Sequence, residues 1–180
     1  MDFSESYQNR AQHSVLQMYD VAARKATVLR EFTHVIEAPF FTKDGKALLY
    51  NCEGLIYRYD LADGGIAPVD TGAVRFCNND HVLAPDGGAI AVSGCTNGTF
   101  DSHIYVKPFG GGEARMVVEP LFSYLHGWSP DGGTLAYCAG REIDGKLEWD
   151  VYTCSVNGGR ETRLTNAPGL NDGPEYSADG

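Results

Sequence analysis

The sequence predicts an all-β protein built from a repeated four-stranded antiparallel unit, and three observations predict it. Asp-Gly recurs in matched surroundings at Asp44-Gly45, Asp86-Gly87, Asp131-Gly132 and Asp179-Gly180, at intervals of 42, 45 and 48 residues. Short runs of Val, Ile, Thr, Tyr and Phe lie between clusters of Gly, Asn and Asp, which favours many short strands over helices. Apolar residues make up 43% of the chain, enough to fill a sizeable core rather than leave it disordered.

Each Asp-Gly sits in one register: Phe41-Thr-Lys-Asp-Gly, Leu83-Ala-Pro-Asp-Gly, Trp128-Ser-Pro-Asp-Gly and Tyr176-Ser-Ala-Asp-Gly. Proline presets φ for the first central position of a tight turn, aspartate hydrogen-bonds its own backbone, and glycine takes the left-handed conformation. Every turn before the last then leads into an apolar strand, Ala47 to Tyr50, Ala89 to Val92 and Thr134 to Tyr137, too short and too β-rich for a helix. A third strand follows at Leu55 to Tyr59, His103 to Val106 and Asp150 to Thr153. Glycine-rich turns at Gly64-Gly65, Gly110 to Gly112 and Gly158-Gly159 lead to a fourth, such as Glu161 to Leu164. Four antiparallel strands per period of about 40 to 50 residues is the signature of a β-propeller blade. Phe40, Phe41, Phe76, Phe122, Trp128 and Tyr176 are expected to pack between blades.

The Trp128 to Gly132 core, with Val151-Tyr152 and the stretch from Asn157 to Thr165, resembles the repeat of TolB-type propellers, distant relatives of WD-repeat proteins. The resemblance runs over residues 14–180; the third repeat is nearest and the first most divergent, since Lys43 stands where the proline falls. It implies a six-bladed ring of which this chain is a part. Similar blades occur in the propeller domains of prolyl-oligopeptidase-type enzymes and in oligogalacturonate lyases, so the repeat specifies the fold far better than the function.

The expected organisation is an irregular or disordered tail at 1–13, outer strands of a ring-closing blade at 14–33, whole blades at 34–72, 76–118 and 121–165, and the start of a further blade at 170–180. Two outer strands, three blades and one incoming strand do not close a ring. The preferred reading is therefore of a partial ring within a protein of roughly 270 to 300 residues, the alternative being an open array that pairs with another chain.

Fourteen basic against twenty-four acidic residues give a formal charge of −10, which argues against nucleic acid and anionic lipid as partners. No apolar run is long enough to span a bilayer, and the opening residues lack the basic and apolar regions of a secretory signal, so a cytoplasmic location is expected. Five cysteines without a C-x-x-C pair read as reduced thiols serving as small buried hydrophobes.

Residues just before each turn motif would lie near the central channel. His81 and His126 each stand five residues before their Asp, where Pro39 and Pro174 occupy the other two repeats, with Asn78, Asn79, Asp80, Asn171, Asp172 and Glu175 nearby. Two imidazoles plus carboxylate or amide oxygens are a donor set for a divalent metal, Zn, Mn or Ca, or for a polar ligand. The plainer reading is that these side chains satisfy strand-end backbone groups around a water-filled channel. His13, His34 and His103 have no ligand spacing relative to this pair, and no other cofactor is expected. Ser129 belongs to the repeat turn rather than to a nucleophile elbow, since the last glycine of G-x-S-x-G is missing. Gly110 to Gly112 lack the following Lys-Ser/Thr of a phosphate loop. Insertions at 94–101 and 140–148 are read either as loops framing the channel mouth, with Phe100, Arg141 and Trp149 as candidate contacts, or as plain solvated hairpins.

The function expected is therefore a non-catalytic scaffold binding a protein, peptide or small polar ligand at the channel face. The alternatives are a metal-dependent propeller enzyme acting on a sugar, similar to the oligogalacturonate lyases, and a propeller that gates a hydrolase domain.

Overall fold

The computed structural model describes residues 12–95 and 101–180, and among them every regular element is a strand. The tail at 1–11 and residues 96–100, Phe100 included, lie outside the described residues. The strands are β1 (Ser14–Asp20), β2 (Lys25–Phe32), β3 (Glu37–Phe41), β4 (Ala47–Cys52), β5 (Leu55–Asp60), β6 (Ile66–Pro68), β7 (Cys77–Leu83), β8 (Ala89–Cys95), β9 (Ser102–Pro108), β10 (Arg115–Val118), β11 (Ser123–Trp128), β12 (Thr134–Ile143), β13 (Lys146–Ser155) and β14 (Thr162–Arg163). β1 and β2 form a two-stranded sheet. The others form three four-stranded antiparallel meanders in chain order, β3 to β6, β7 to β10 and β11 to β14, here called blades 1, 2 and 3.

The repeated turn forms as its residues dictate. Gly45 N–H donates to Thr42 O at 2.9 Å, Gly87 to Ala84 O at 2.8 Å, Gly132 to Ser129 O at 2.8 Å and Gly180 to Ser177 O at 3.0 Å. The aspartate then caps the turn from inside: Oδ1 of Asp44, Asp86 and Asp131 accepts the backbone N–H of Lys46, Gly88 and Gly133. Ser129 Oγ donates to Asp131 Oδ1 at 2.6 Å and accepts from Thr134 N–H at 2.8 Å, so this hydroxyl is engaged by the hairpin.

The second strand of a blade sits between two neighbouring layers, so both of its faces must be apolar. In β4, Leu48, Tyr50 and Cys52 face the β1–β2 sheet, packing with Leu16, Phe32 and Tyr59. Leu49 faces the other way, packing with Val74, Cys77, Ile90 and Val92 of the blade 1–blade 2 junction. Ala91, Ile104 and Val106 of blade 2 meet Leu125, Trp128, Leu135 and Tyr137 of blade 3. Each fully buried Leu, Ile or Val here contributes about 1.5–3 kcal/mol relative to exposure. Cys52, Cys77, Cys138 and Cys154 are buried within these layers and form no disulfide.

One expectation needs correction. Phe41 and Phe76 are 53% and 48% exposed rather than packed between blades, whereas Phe40 and Trp128 are packed there. Of the two readings of 140–148, the hairpin is the one that forms. β12 and β13 pair without a break from Thr134↔Ser155 to Ile143↔Lys146, and the hairpin closes on Asp144-Gly145, with φ of 50° and 75°. Two central residues of positive φ are the type I′ hairpin that Asp-Gly favours.

Candidate binding site at the channel face

The innermost strand of each blade is interrupted at the same point. In β3, Ala38 and Pro39 lie between paired Glu37 and Phe40, opposite Tyr50 alone. In β7, Asn78, Asn79 and Asp80 lie between paired Cys77 and His81, opposite Ser93 alone. In β11, His126 is the extra residue between Leu125 and Gly127. Bulges push residues out of the ladder and re-aim their side chains, which is why they collect at rims and binding sites. Local chemistry produces them here: Pro39 has no N–H to give the ladder, and Asn78 Oδ1 takes the Asp80 N–H at 2.9 Å, offering the backbone an alternative partner.

These bulges bring several of the expected residues together. His126 Nε2 lies 3.0 Å from Asp172 Oδ1, linking β11 to the segment after blade 3. Asp80 is close enough to both to feel them. Loss of hydration pushes its carboxyl up to about 6; the positive side of His126 and a hydrogen bond from Asn78 oppose the rise, while the Asp172 and Glu37 carboxylates add to it. Carboxylates from blade 1, blade 2 and the segment beyond blade 3 therefore share one region with His126. Cys138 borders it, its thiol 3.3 Å from Asn171 O and pushed up to about 12 by burial first and by Asp172 next.

His81 is placed elsewhere. It is buried in the blade 1–blade 2 junction, its ring 5.0 Å from that of Phe40, with Nδ1–H donating to Asn79 O at 3.0 Å. Nε2 makes no hydrogen bond, although the Leu49 backbone lies close enough to favour its protonated form. Burial dominates and lowers the imidazole to about 4. Asn79 is exposed, and Glu175 is exposed and takes part in none of these contacts. Asn171 is engaged by Asp150 Oδ1 and Ala167 O, both at 3.0 Å. Among the described residues no three His, Cys, Asp or Glu side chains are grouped to hold a metal ion.

Arg141 is not an open contact. Its guanidinium forms a two-pronged pair with Glu161, at 2.7 and 2.8 Å, and also donates to Leu121 O and Ser123 Oγ. Trp149 is half-buried against Phe122 and Tyr124. Sequence reasoning missed Glu37 and Cys138. Both were findable by register, since they stand seven residues before Asp44 and seven after Asp131.

No helix among the described residues is long and apolar enough to cross a membrane. No protein-family model matches the chain. An uncharacterized curated protein of Agrobacterium fabrum is 43% identical over 168 residues, covering 93% of this chain and 56% of the relative. A solved structure assigned as TolB from Agrobacterium tumefaciens is 42% identical, with a TM-score of 0.82 over 94% of this chain and 59% of that one. TolB from Acinetobacter baumannii is 21% identical, with a TM-score of 0.75 over 92% of this chain and 41% of that one. An oligogalacturonate lyase solved with manganese is 18% identical, with a TM-score of 0.58 over 81% of this chain and 40% of that one, a likeness of fold alone. This chain thus spans little more than half the length of the curated relative. With the repeated turns, the consecutive four-stranded blades and this likeness, the chain is a TolB-like β-propeller.

Proposed function

We propose that this propeller is a non-catalytic scaffold whose channel face binds a protein or peptide presenting basic groups. The observation that carries the reading is the His126–Asp172 contact beside Asp80, with His126 and Asp80 both at bulges of successive inner strands. Carboxylates drawn from separate elements give this face a negative field, in keeping with the formal charge of −10. Exposed Asn79 adds an amide that can bond a peptide backbone. Support against a hydrolytic role comes from Ser129, whose hydroxyl is taken up by Asp131 and Thr134.

The test is fluorescence anisotropy with a fluorescein-labelled Lys/Arg-containing peptide and a matched Asp/Glu-containing one. The basic peptide is expected to bind, to weaken as salt rises, and to lose affinity with Asp172→Asn. Equal binding of both peptides, indifference to Asp172→Asn, or turnover of an oligouronide that disappears in His126→Ala would overturn the proposal.

A further inference from the structure

A bulge leaves backbone groups without ladder partners, and buried backbone groups must find partners elsewhere. At the blade 1–blade 2 junction, Asn51 of β4 supplies them: its Nδ2 donates to Cys77 O at 2.9 Å and to Asn78 O at 2.8 Å, where the bulge of β7 begins. At the blade 2–blade 3 junction, Ser93 Oγ of β8 accepts the N–H of Leu125 at 2.7 Å, immediately before the bulged His126. Beyond blade 3, Cys138 Sγ of β12 donates to Asn171 O at 3.3 Å, next to Asp172.

The three side chains are equivalent. Asn51, Ser93 and Cys138 stand seven residues after Asp44, Asp86 and Asp131, each on the second strand of its blade and each at most 4% exposed. Each reaches forward to the element that carries the next channel-face residues: Asn78 to Asp80, His126, and Asp172. A buried polar residue at a position otherwise given to core packing is costly unless bonded, so its repeated presence needs a reason beyond packing. Chemistry differs among the three while direction does not.

We infer that the position seven residues after each turn aspartate is a positioning site, through which every blade fixes the channel-face residues of the blade that follows it. Asn51 and Ser93 hold the backbone from which Asp80 and His126 project, and Cys138 holds the backbone beside Asp172. The inference stands on these hydrogen bonds and not on the binding proposal, so a peptide that fails to bind would leave it intact.

The test is NMR on the folded protein with Ser93→Ala, Ser93→Thr and Asn51→Ala. Ser93→Ala removes the acceptor of the Leu125 N–H. Its amide exchange is expected to quicken by about fivefold to tenfold, as loss of one ordinary hydrogen bond gives, and the His126 ring resonances to move. Ser93→Thr, which keeps the hydroxyl, is expected to restore both. Asn51→Ala is expected to shift the carbonyl-carbon resonances of Cys77 and Asn78 while leaving Leu125 and His126 as they were. A merely structural role predicts lower stability with unmoved His126 signals, and that result would overturn the inference. Equal disturbance of both junctions by either variant would overturn it as well. If Asn51→Ala does not fold, the Ser93 pair decides alone.

Discussion

Asp80 and His81 are neighbours in the chain whose surroundings drive their protonation in opposite directions. Asp80 sits among other carboxylates with little water, so its folded carboxyl binds a proton more tightly than the unfolded one, up to about 6. An acid raised in this way favours folding only while protonated, and its contribution is lost as pH rises from about 4 through 6. Asp80→Asn is therefore expected to stabilise the protein by about 2 kcal/mol at pH 7.5 and by little at pH 4, as read from urea midpoints at the two values. A carboxylate that weakens the fold at neutral pH is what a binding face would retain. His81 follows the reverse rule. Its imidazole is lowered to about 4, so the fold keeps its full contribution above about 6.5 and loses it as pH falls toward 4, a loss of about 3 kcal/mol. His81→Phe, which keeps the ring against Phe40, is expected to flatten the stability profile across that window; an unchanged slope would refute the assignment. At this scale the sequence was half legible. His81 and His126 share a spacing from their aspartates, but the extra residues of β7 are Asn78 to Asp80, whereas the extra residue of β11 is His126 itself. One histidine therefore stays in the ladder and faces the core, and the other is expelled from it. Spacing from a turn does not report where a bulge falls.

Elements were easier to read, because the turn chemistry is local. Asp-Gly, with Ser, Thr or Ala three before the Gly, specifies a hydrogen-bonded turn whatever surrounds it, and all four instances form it. Gly132 isolates the backbone term: its φ is 77°, and a Cβ placed there meets nothing within 4 Å. Gly132→Ala is thus expected to cost about 1–2 kcal/mol from the left-handed conformation alone, seen as a lower melting temperature with an unaltered channel-face NMR spectrum. A loss near zero would mean that the hairpin accommodates a right-handed turn. What escaped the sequence reading was strand length. Polar residues such as Arg141, Glu142 and Glu148 fit a loop or a solvated hairpin equally well, and they lie in the long β12–β13 hairpin. Arg141 remains there because Glu161 pairs with it and Ser123 and Leu121 bond the remaining N–H groups, a network made by residues distant in sequence and invisible to a local pattern.

For the whole molecule, stability should follow the order of stacking. Each blade touches only its neighbours, so the interior layers are fixed on two faces and the first sheet on one, as in repeat proteins generally. Blade 2 has Leu49, Ile90 and Val92 on one side and Ala91, Ile104, Leu125 and Trp128 on the other. The β1–β2 sheet buries Leu16 and Phe32 against blade 1 but leaves Val15, Tyr19 and Val28 exposed on its far face. The period of 42 to 48 residues made this layering readable, since alternate apolar residues on both faces of Ala47–Cys52 and Ala89–Cys95 require a neighbour on each side. Hydrogen exchange followed by mass spectrometry should then show β4, β8 and β12 exchanging slowest, through the largest opening free energy, and β2 exchanging fastest among the longer strands. The gradient is the informative part. If β2 exchanged as slowly as β8, the far face of the first sheet would be covered in solution by something other than the blades seen here, and stability would be a property of a closed assembly rather than of successive pairwise junctions.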